Sequence, residues 1–515
     1  TLKYEDFLKY HEEYYHPSNS YIYIYGDMDV NERLEYLDRE YLSDFDVSDV
    51  DIHANIERQA AFDKPVYETK PDLITEDESL ELNTYLSYNA VIGTSVDAKL
   101  YLAFQILDYA LVMTPGAPVK QALLDAGIST DVYSSYETSL YQPVYSIVAK
   151  NSNSKEQGRF VSVINDTLEK LVKDGINERT IEAGINYYEF KYREADYGPY
   201  PKGLMYYLTM MDSWLYDETK PFIHIEAGDT FDELKKDARN GYFEKLIKEY
   251  LLDNNHKSII SLVPEFGLEK EKEQKEADKL AEYKSTLTND ELKELVKKTK
   301  ELKEYQDAPS SQEELEKIPM LELSDIKREP AKDYNDVKSV DGIKIVHHNI
   351  FTNKIAYINL SFDTKCVPDE LIPYMGLLGS TLSLMDTKNY TYPELTNEIN
   401  INCGGLATGT ALYSDKVDFS KNTIVYEVKS KALYEKVPFV LGMMEEIMYN
   451  TRFDDYKRLK EIIARIKSRL EASLMGQGHS IAMLECCAQF SESAYYSDIL
   501  RGYKYYEFIK KLDEE

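Results

Sequence analysis

Eight histidines decide most of the metal and acid–base chemistry open to this 515-residue sequence. His11 and His16 flank Glu12 and Glu13 as H-E-E-Y-Y-H on a stretch that reads as helix. A helical zinc pair needs its imidazoles four residues apart on one face, whereas five residues apart they diverge by about 140°. Neither H-E-x-x-H nor H-x-x-E-H occurs anywhere. His347 and His348 are adjacent in a strand-like run, so their rings point to opposite faces. His224 and Glu226 alternate on another strand-like stretch, but two ligands without a third do not make a site. His53, His256 and His479 stand alone, and surface or capping roles account for the set.

Nucleophiles fare no better. There is no G-x-S-x-G elbow, no P-loop and no G-x-G-x-x-G. Gly404, Gly405 and Gly409 read as a helix C-cap running into a strand. Of the four cysteines, Cys366 and Cys403 are isolated and Cys486 and Cys487 adjacent; no histidine pairs with any of them in sequence, and the expected role is that of small buried hydrophobes. Such sparse cysteine excludes a disulfide framework and fits a reducing cytosol, so a bacterial-type cytoplasmic location is expected. The 45 tyrosines stand out against 17 Phe and one Trp. Tyr133, Tyr136 and Tyr141 are the candidate binding residues, although strand alternation splits such residues between two faces. Core packing with the hydroxyl at the rim is the competing role. No catalytic and no metal-ligating residue is assigned.

Asp and Glu total 92 against 60 Lys and Arg, a formal charge of -32, which repels nucleic acid and tolerates basic or neutral peptides. With 43% hydrophobic and 30% charged residues the chain has the balance of a globular protein. Mean hydropathy is -0.49, and no run approaches the ~18 consecutive apolar residues of a membrane span. No basic and apolar leader opens the sequence, which starts at Thr1 without Met, and the true N-terminus is expected to lie upstream.

Periodicity sets out the elements that must position any site. A helix capped by Thr1 and ended by Pro17 is followed by a buried strand Tyr21–Tyr25 and a helix over 31–42. One strand and two helices cannot complete a sheet, so 1–50 reads as the remnant of a domain, and the polar, proline-dotted 51–75 as a linker. An α+β unit over 76–266 has strands at 84–93, 131–136, 144–150 and 257–263 with helices between. Residues 267–305 read as a charged helical hairpin restarting at the Thr288/Glu291 capping box, and 306–340 as an irregular tether. A third unit, 341–515, repeats the element order of the second. Gly127 maps near Gly404, Val148 near Val428 and Phe160 near Phe439, and this unit ends without a closing strand.

The run Tyr14-Tyr15-His16-Pro17-Ser18-Asn19, followed by Tyr21–Tyr25 and Gly26-Asp27, resembles the end of the first domain of insulinase/pitrilysin-family zinc peptidases. The duplicated units and charged hairpin resemble its presequence protease and falcilysin branch, with the third unit similar to the peptidase-associated domain. The resemblance implies an α+β chain of repeated insulinase-type (LuxS/MPP-like) domains with antiparallel sheets flanked by helices. It implies four domains in two halves closing around unfolded peptides, with zinc held by an H-x-x-E-H helix and a downstream Glu in the first domain. An Arg/Tyr pair near the end of the last domain is implied as well. Neither set is in this sequence, so zinc is expected in the parent and not on this chain. The chain would supply chamber wall and hinge, its partners being peptide substrates and the remaining peptidase domains, with no membrane. The alternative is a non-catalytic insulinase-like scaffold or partner subunit; a coiled-coil role for the hairpin is weaker.

Overall fold

The computed structural model describes residues 3–46, 56–76, 79–318, 320–329, 335–418 and 420–515; His53 and Thr1 lie outside them. The architecture is α+β, as the pattern predicts. Residues 1–70, 80–263 and 355–515 form one compact unit, and 71–79 with 264–354 a second.

Two sheets carry the large unit. The first contains β1 (Val66–Ile74), β2 (Thr84–Val91), β3 (Asp131–Glu137), β4 (Val144–Ser152) and β5 (Lys257–Phe266), in the order β1-β5-β2-β4-β3. Period-two alternation makes each strand two-sided. Leu86, Tyr88 and Ala90 of β2 and Tyr145, Ile147 and Ala149 of β4 are fully buried, while Tyr85, Ser87 and Asn89 face the other way. The buried side packs on helix Ala98–Asp108, its continuation Tyr109–Met113, and helix Gln157–Asp174 through Phe104, Ile106, Phe160, Ile164 and Leu168. The helical run 98–125 is apolar enough by length and composition to span a bilayer, but 67% of it is buried in this core. Lys257, also buried, donates to the carbonyls of Leu251 at 2.8 Å and Leu252 at 3.1 Å, satisfying the end of the preceding helical turn.

The second sheet repeats the first. With β6 (Asn335–Val340) and β7 (Ile343–His348) preceding it, it contains β8 (Ile355–Asp363), β9 (Leu406–Ser414) and β10 (Asn422–Leu433) in the order β8-β10-β9, all antiparallel, matching β2-β4-β3. Register and burial refine the expected equivalences by one residue. Ile147, not Val148, is the buried counterpart of Val428, and Phe160 corresponds to buried Val440, not Phe439. The slip has a cause: β4 carries an irregularity around Asn151 (φ 59°), where an extra residue flips the alternation.

The small unit contains helices Leu268–Thr286 and Asn289–Asp307, and the expected capping box is present: the Thr288 amide donates to Glu291 Oε2 at 2.7 Å, and the Glu291 amide to Thr288 Oγ1 at 3.3 Å. Neither helix buries a residue, and i,i+4 pairs such as Lys275–Glu271 at 2.6 Å support them instead. β6 and β7 pair through the turn Asp341-Gly342, both at positive φ, the geometry that favours an Asp-Gly hairpin.

Four expectations need correction. Tyr21–Tyr25 forms no strand; its rings lie on helix Lys202–Trp214, Tyr21 on Trp214 at 4.6 Å and Tyr23 on Tyr207 at 5.3 Å, without a neighbouring strand to pair with. The 51–75 stretch includes strand β1, and the 306–340 tether contains helix Gln312–Glu316 and strand β6. The His224–Glu226 stretch is turn, not strand. His224 is buried, stacks on Tyr101 at 3.8 Å, and its Nε2 lies 2.8 Å from the Ser95 carbonyl oxygen, to which it donates.

Burial disfavours the charged form of His224 and lowers its pKa from 6.5 to about 4. The unfolded chain therefore binds a proton that the folded chain refuses across that interval, and stability falls as pH falls through it. The contribution lost is about 3 kcal/mol. Urea unfolding at pH 7 and at pH 4.5 is expected to show this slope, and His224→Gln to flatten it.

Candidate functional site

Helices cover one face of each sheet, so the opposite faces are the surfaces free for binding among the described residues. On the first sheet that face carries Tyr85, Ser87 and Asn89 from β2, Tyr133 and Ser135 from β3, and Lys150 from β4, all partly or fully accessible. Asn89 Nδ2 donates to Ser87 Oγ at 3.0 Å and to the Ser258 carbonyl at 3.2 Å, and Lys150 Nζ sits 6.0 Å from the Tyr85 ring centre. The second sheet repeats this pattern. Tyr357, Asn359 and Ser361 of β8 occupy the positions of Tyr85, Ser87 and Asn89, and Lys431 that of Lys150. Both strands read Tyr-x-polar-x-polar, a period-two signal visible in the sequence and overlooked when tyrosines alone were followed.

Glu427 of β10 is a charged side chain set deeply into the second face, 4% exposed. Asn359 Nδ2 donates to it at 2.8 Å, the Tyr413 hydroxyl at 2.8 Å and Lys429 Nζ at 2.5 Å. Burial works to raise its pKa, but Lys429, Asn359 and Tyr413 outweigh burial, so the carboxyl lies below its ordinary range. It stays ionised and acts as an acceptor, not as a proton donor.

The three candidate tyrosines separate. Tyr133 lies on the open face, where burial, with Tyr85 and Asp131, raises its hydroxyl pKa. Tyr136 is on the covered face, its ring 5.9 Å from Phe104 and 6.4 Å from Tyr145, so it belongs to the core. Tyr141 is in the β3–β4 connection, stacked on Tyr216 at 4.9 Å. They are therefore not a single surface, because an odd spacing along a strand reverses the face.

The second repeat meets the first through helices Glu178–Glu194 and Tyr392–Asn402. Arg179 pairs with Glu398, Asn397 Nδ2 donates to Thr180 Oγ1 at 2.9 Å, and Asn400 Nδ2 to the Tyr109 hydroxyl at 2.6 Å. Gly404 is required there, since the Phe190 ring fills the space of any Cβ. At the end of the first helix Glu194, 6% exposed, accepts from the Tyr357 hydroxyl at 2.8 Å and from Lys431 Nζ at 2.6 Å. One edge of the second open face is thus clasped by the first repeat.

A zinc ion does not fit the residues present. No group of three or more His, Cys, Asp or Glu converges among the described residues. His16 Nδ1 accepts from the Ser18 amide at 3.1 Å and His11 stacks on Tyr15 at 4.7 Å. Cys403 is buried, which pushes its thiol up to about 11. What the open faces provide is a set of fixed donors and acceptors on rigid strands, which suits binding and not bond cleavage.

Comparison with known proteins agrees with this division. A family model described as Peptidase M16 inactive domain matches residues 1–188, and a second, for the associated domain of the C branch of the same peptidases, matches residues 262–512. The chain belongs to the M16 family of metallopeptidases, the insulinase/pitrilysin family. Protein HypA of Clostridium perfringens is 39% identical over the whole chain and 53% of its own length. Presequence protease 1 of Arabidopsis thaliana is 30% identical over the whole chain and 48% of its own length. The chain spans about half the length of these curated relatives. Among solved structures, pitrilysin aligns over 84% of this chain and 43% of its own, at 14% identity and a TM-score of 0.36.

Replacing Glu194 by Ala leaves Lys431 without its carboxylate and is expected to cost about 2–3 kcal/mol. Gly404→Ala is expected to cost about 1–3 kcal/mol through overpacking against Phe190. Denaturant midpoints measure both, and Glu194→Gln, which retains an acceptor, should fall between wild type and Glu194→Ala.

Proposed function

We propose that this chain is the central, non-catalytic portion of a zinc-dependent endopeptidase that degrades unfolded peptides inside an enclosed chamber. Its repeated sheets supply chamber wall, and the charged helical hairpin the hinge. The carrying observation is the alignment of the whole chain, at 30% identity, to about half of a presequence protease. The open polar faces support the same reading, since an extended peptide exposes backbone N–H and C=O groups along its length and needs matching donors and acceptors. Enclosure would supply size selection, and the zinc ligands would lie in the remaining peptidase domains. Unfolded peptides and those domains are the partners, and a bacterial cytoplasmic location completes the proposal, supported by four free thiols.

A second reading is a full-length M16 chain that has lost its metal site and acts as a scaffold or partner subunit, which the inactive-domain match also accommodates. Metal analysis of the full-length protein separates the two. Stoichiometric zinc and chelator-sensitive hydrolysis of an unfolded peptide are expected, with neither from residues 1–515 alone. A full-length protein that binds no zinc and cuts no peptide would move the assignment to the scaffold.

A further inference from the structure

We infer that the space between helix Pro118–Asp125 of the first repeat and helix Tyr456–Gly476 of the second binds a small, doubly charged oxyanion of the phosphate class. Four cations define it: Lys120, Arg458, Arg465 and Arg469. The three arginines stand at i, i+7 and i+11, so one stripe of their helix carries them, with Glu461 among them. Two contacts register the helices at this stripe. Lys457 Nζ lies 3.0 Å from Asp125 Oδ1, and the Arg458 guanidinium stacks 4.0 Å over the Tyr392 ring, whose hydroxyl is 3.4 Å from Gln121 Oε1, beside Lys120.

The cations are short of partners. Arg458 is 8% exposed; its Nε donates to the Leu384 carbonyl at 3.1 Å and Nη1 to Glu461 at 3.0 Å, but Nη2 is buried without an acceptor. Arg465 Nε is likewise buried and unpaired. Lys120, Arg465 and Arg469 have no hydrogen-bond or ion-pair partner among the described residues. Lys257 makes the contrast, because its buried ammonium reaches two carbonyls and the Tyr88 hydroxyl. Burial first, then the neighbouring guanidiniums, pushes Lys120 down to about 8, with Asp131 opposing, and burial lowers Arg465 to about 10.

In a chain of net charge -32, three cations together without a carboxylate of their own need an explanation. Four cations share the two carboxylates Asp131 and Glu461, which leaves two positive charges uncompensated. A dianion closes that balance. Guanidinium N–H forks match the spacing of oxyanion oxygens, and a lysine adds a point charge. The half-buried setting and the acidic surface around it reject a large polyanion.

Titration calorimetry of the full chain with inorganic phosphate, in chloride buffer at fixed ionic strength, tests the assignment. One saturable site and a phosphate-dependent rise in melting temperature are expected. Arg465→Gln should weaken binding about tenfold, and Lys460→Gln, on the exposed side of the same helix, should leave it unchanged. Lys120→Met keeps the test valid if the arginine variant fails to fold. It removes an uncompensated charge, so it should raise the melting temperature in phosphate-free buffer while weakening phosphate binding. Absence of saturable binding, equal binding by Arg465→Gln or Lys120→Met, or a lower phosphate-free melting temperature for Lys120→Met would each overturn the site.

Discussion

Strand alternation against a single layer of helices is the constraint from which the large unit follows. Once Leu86, Tyr88 and Ala90 are committed to the helix side, Tyr85, Ser87 and Asn89 must face outward. An outward face kept polar stays soluble and can bind without repacking. Duplication copies this arrangement, so Tyr357, Asn359 and Ser361 meet the same requirement on β8. The open faces are therefore a consequence of how each core is built.

Joining the repeats takes a different kind of interaction. The helix pair Glu178–Glu194 and Tyr392–Asn402 meets largely through polar side chains, with Phe190 against Gly404 as a close apolar contact. Such an interface is directional: removing one partner leaves a buried donor or acceptor unpaired, which costs more than the bond contributes. Glu194 shows why this matters for binding, because it couples the first repeat to Tyr357 and Lys431 on the second open face. The cluster around Lys120 and Arg465 lies between the same two repeats, so charge balance there and the fit of the repeats are linked.

Much of the fold was legible in the sequence because its signals were local. The Thr288/Glu291 capping box, the alternation in β2 and β4 and the repeat of element order all survive in the structure. Failures came where a non-local partner decides the outcome. Tyr21–Tyr25 has strand composition, but without a neighbouring strand its tyrosines settle on a helix. Strand β1 is polar and largely exposed, so nothing in its composition distinguishes it from linker. The equivalence of Val148 with Val428 slipped by one residue because the irregularity at Asn151 has no sequence signature of its own. Tyr136 was grouped with Tyr133 on residue type, although their odd spacing places them on opposite faces. Glu427 and Glu194 were hidden among 92 acidic residues, since only tertiary contacts distinguish them.

Photocrosslinking of an unfolded peptide to the full-length protein tests most directly whether the open faces carry substrate. A photoreactive phenylalanine at Tyr133 samples the first open face, one at Lys429 the second, and one at Lys170 the solvent side of the covering helices. Strong peptide labelling from positions 133 and 429, with little from 170, is the expected pattern. Equal labelling from all three, or labelling from 170 alone, would contradict a substrate role for the helix-free faces.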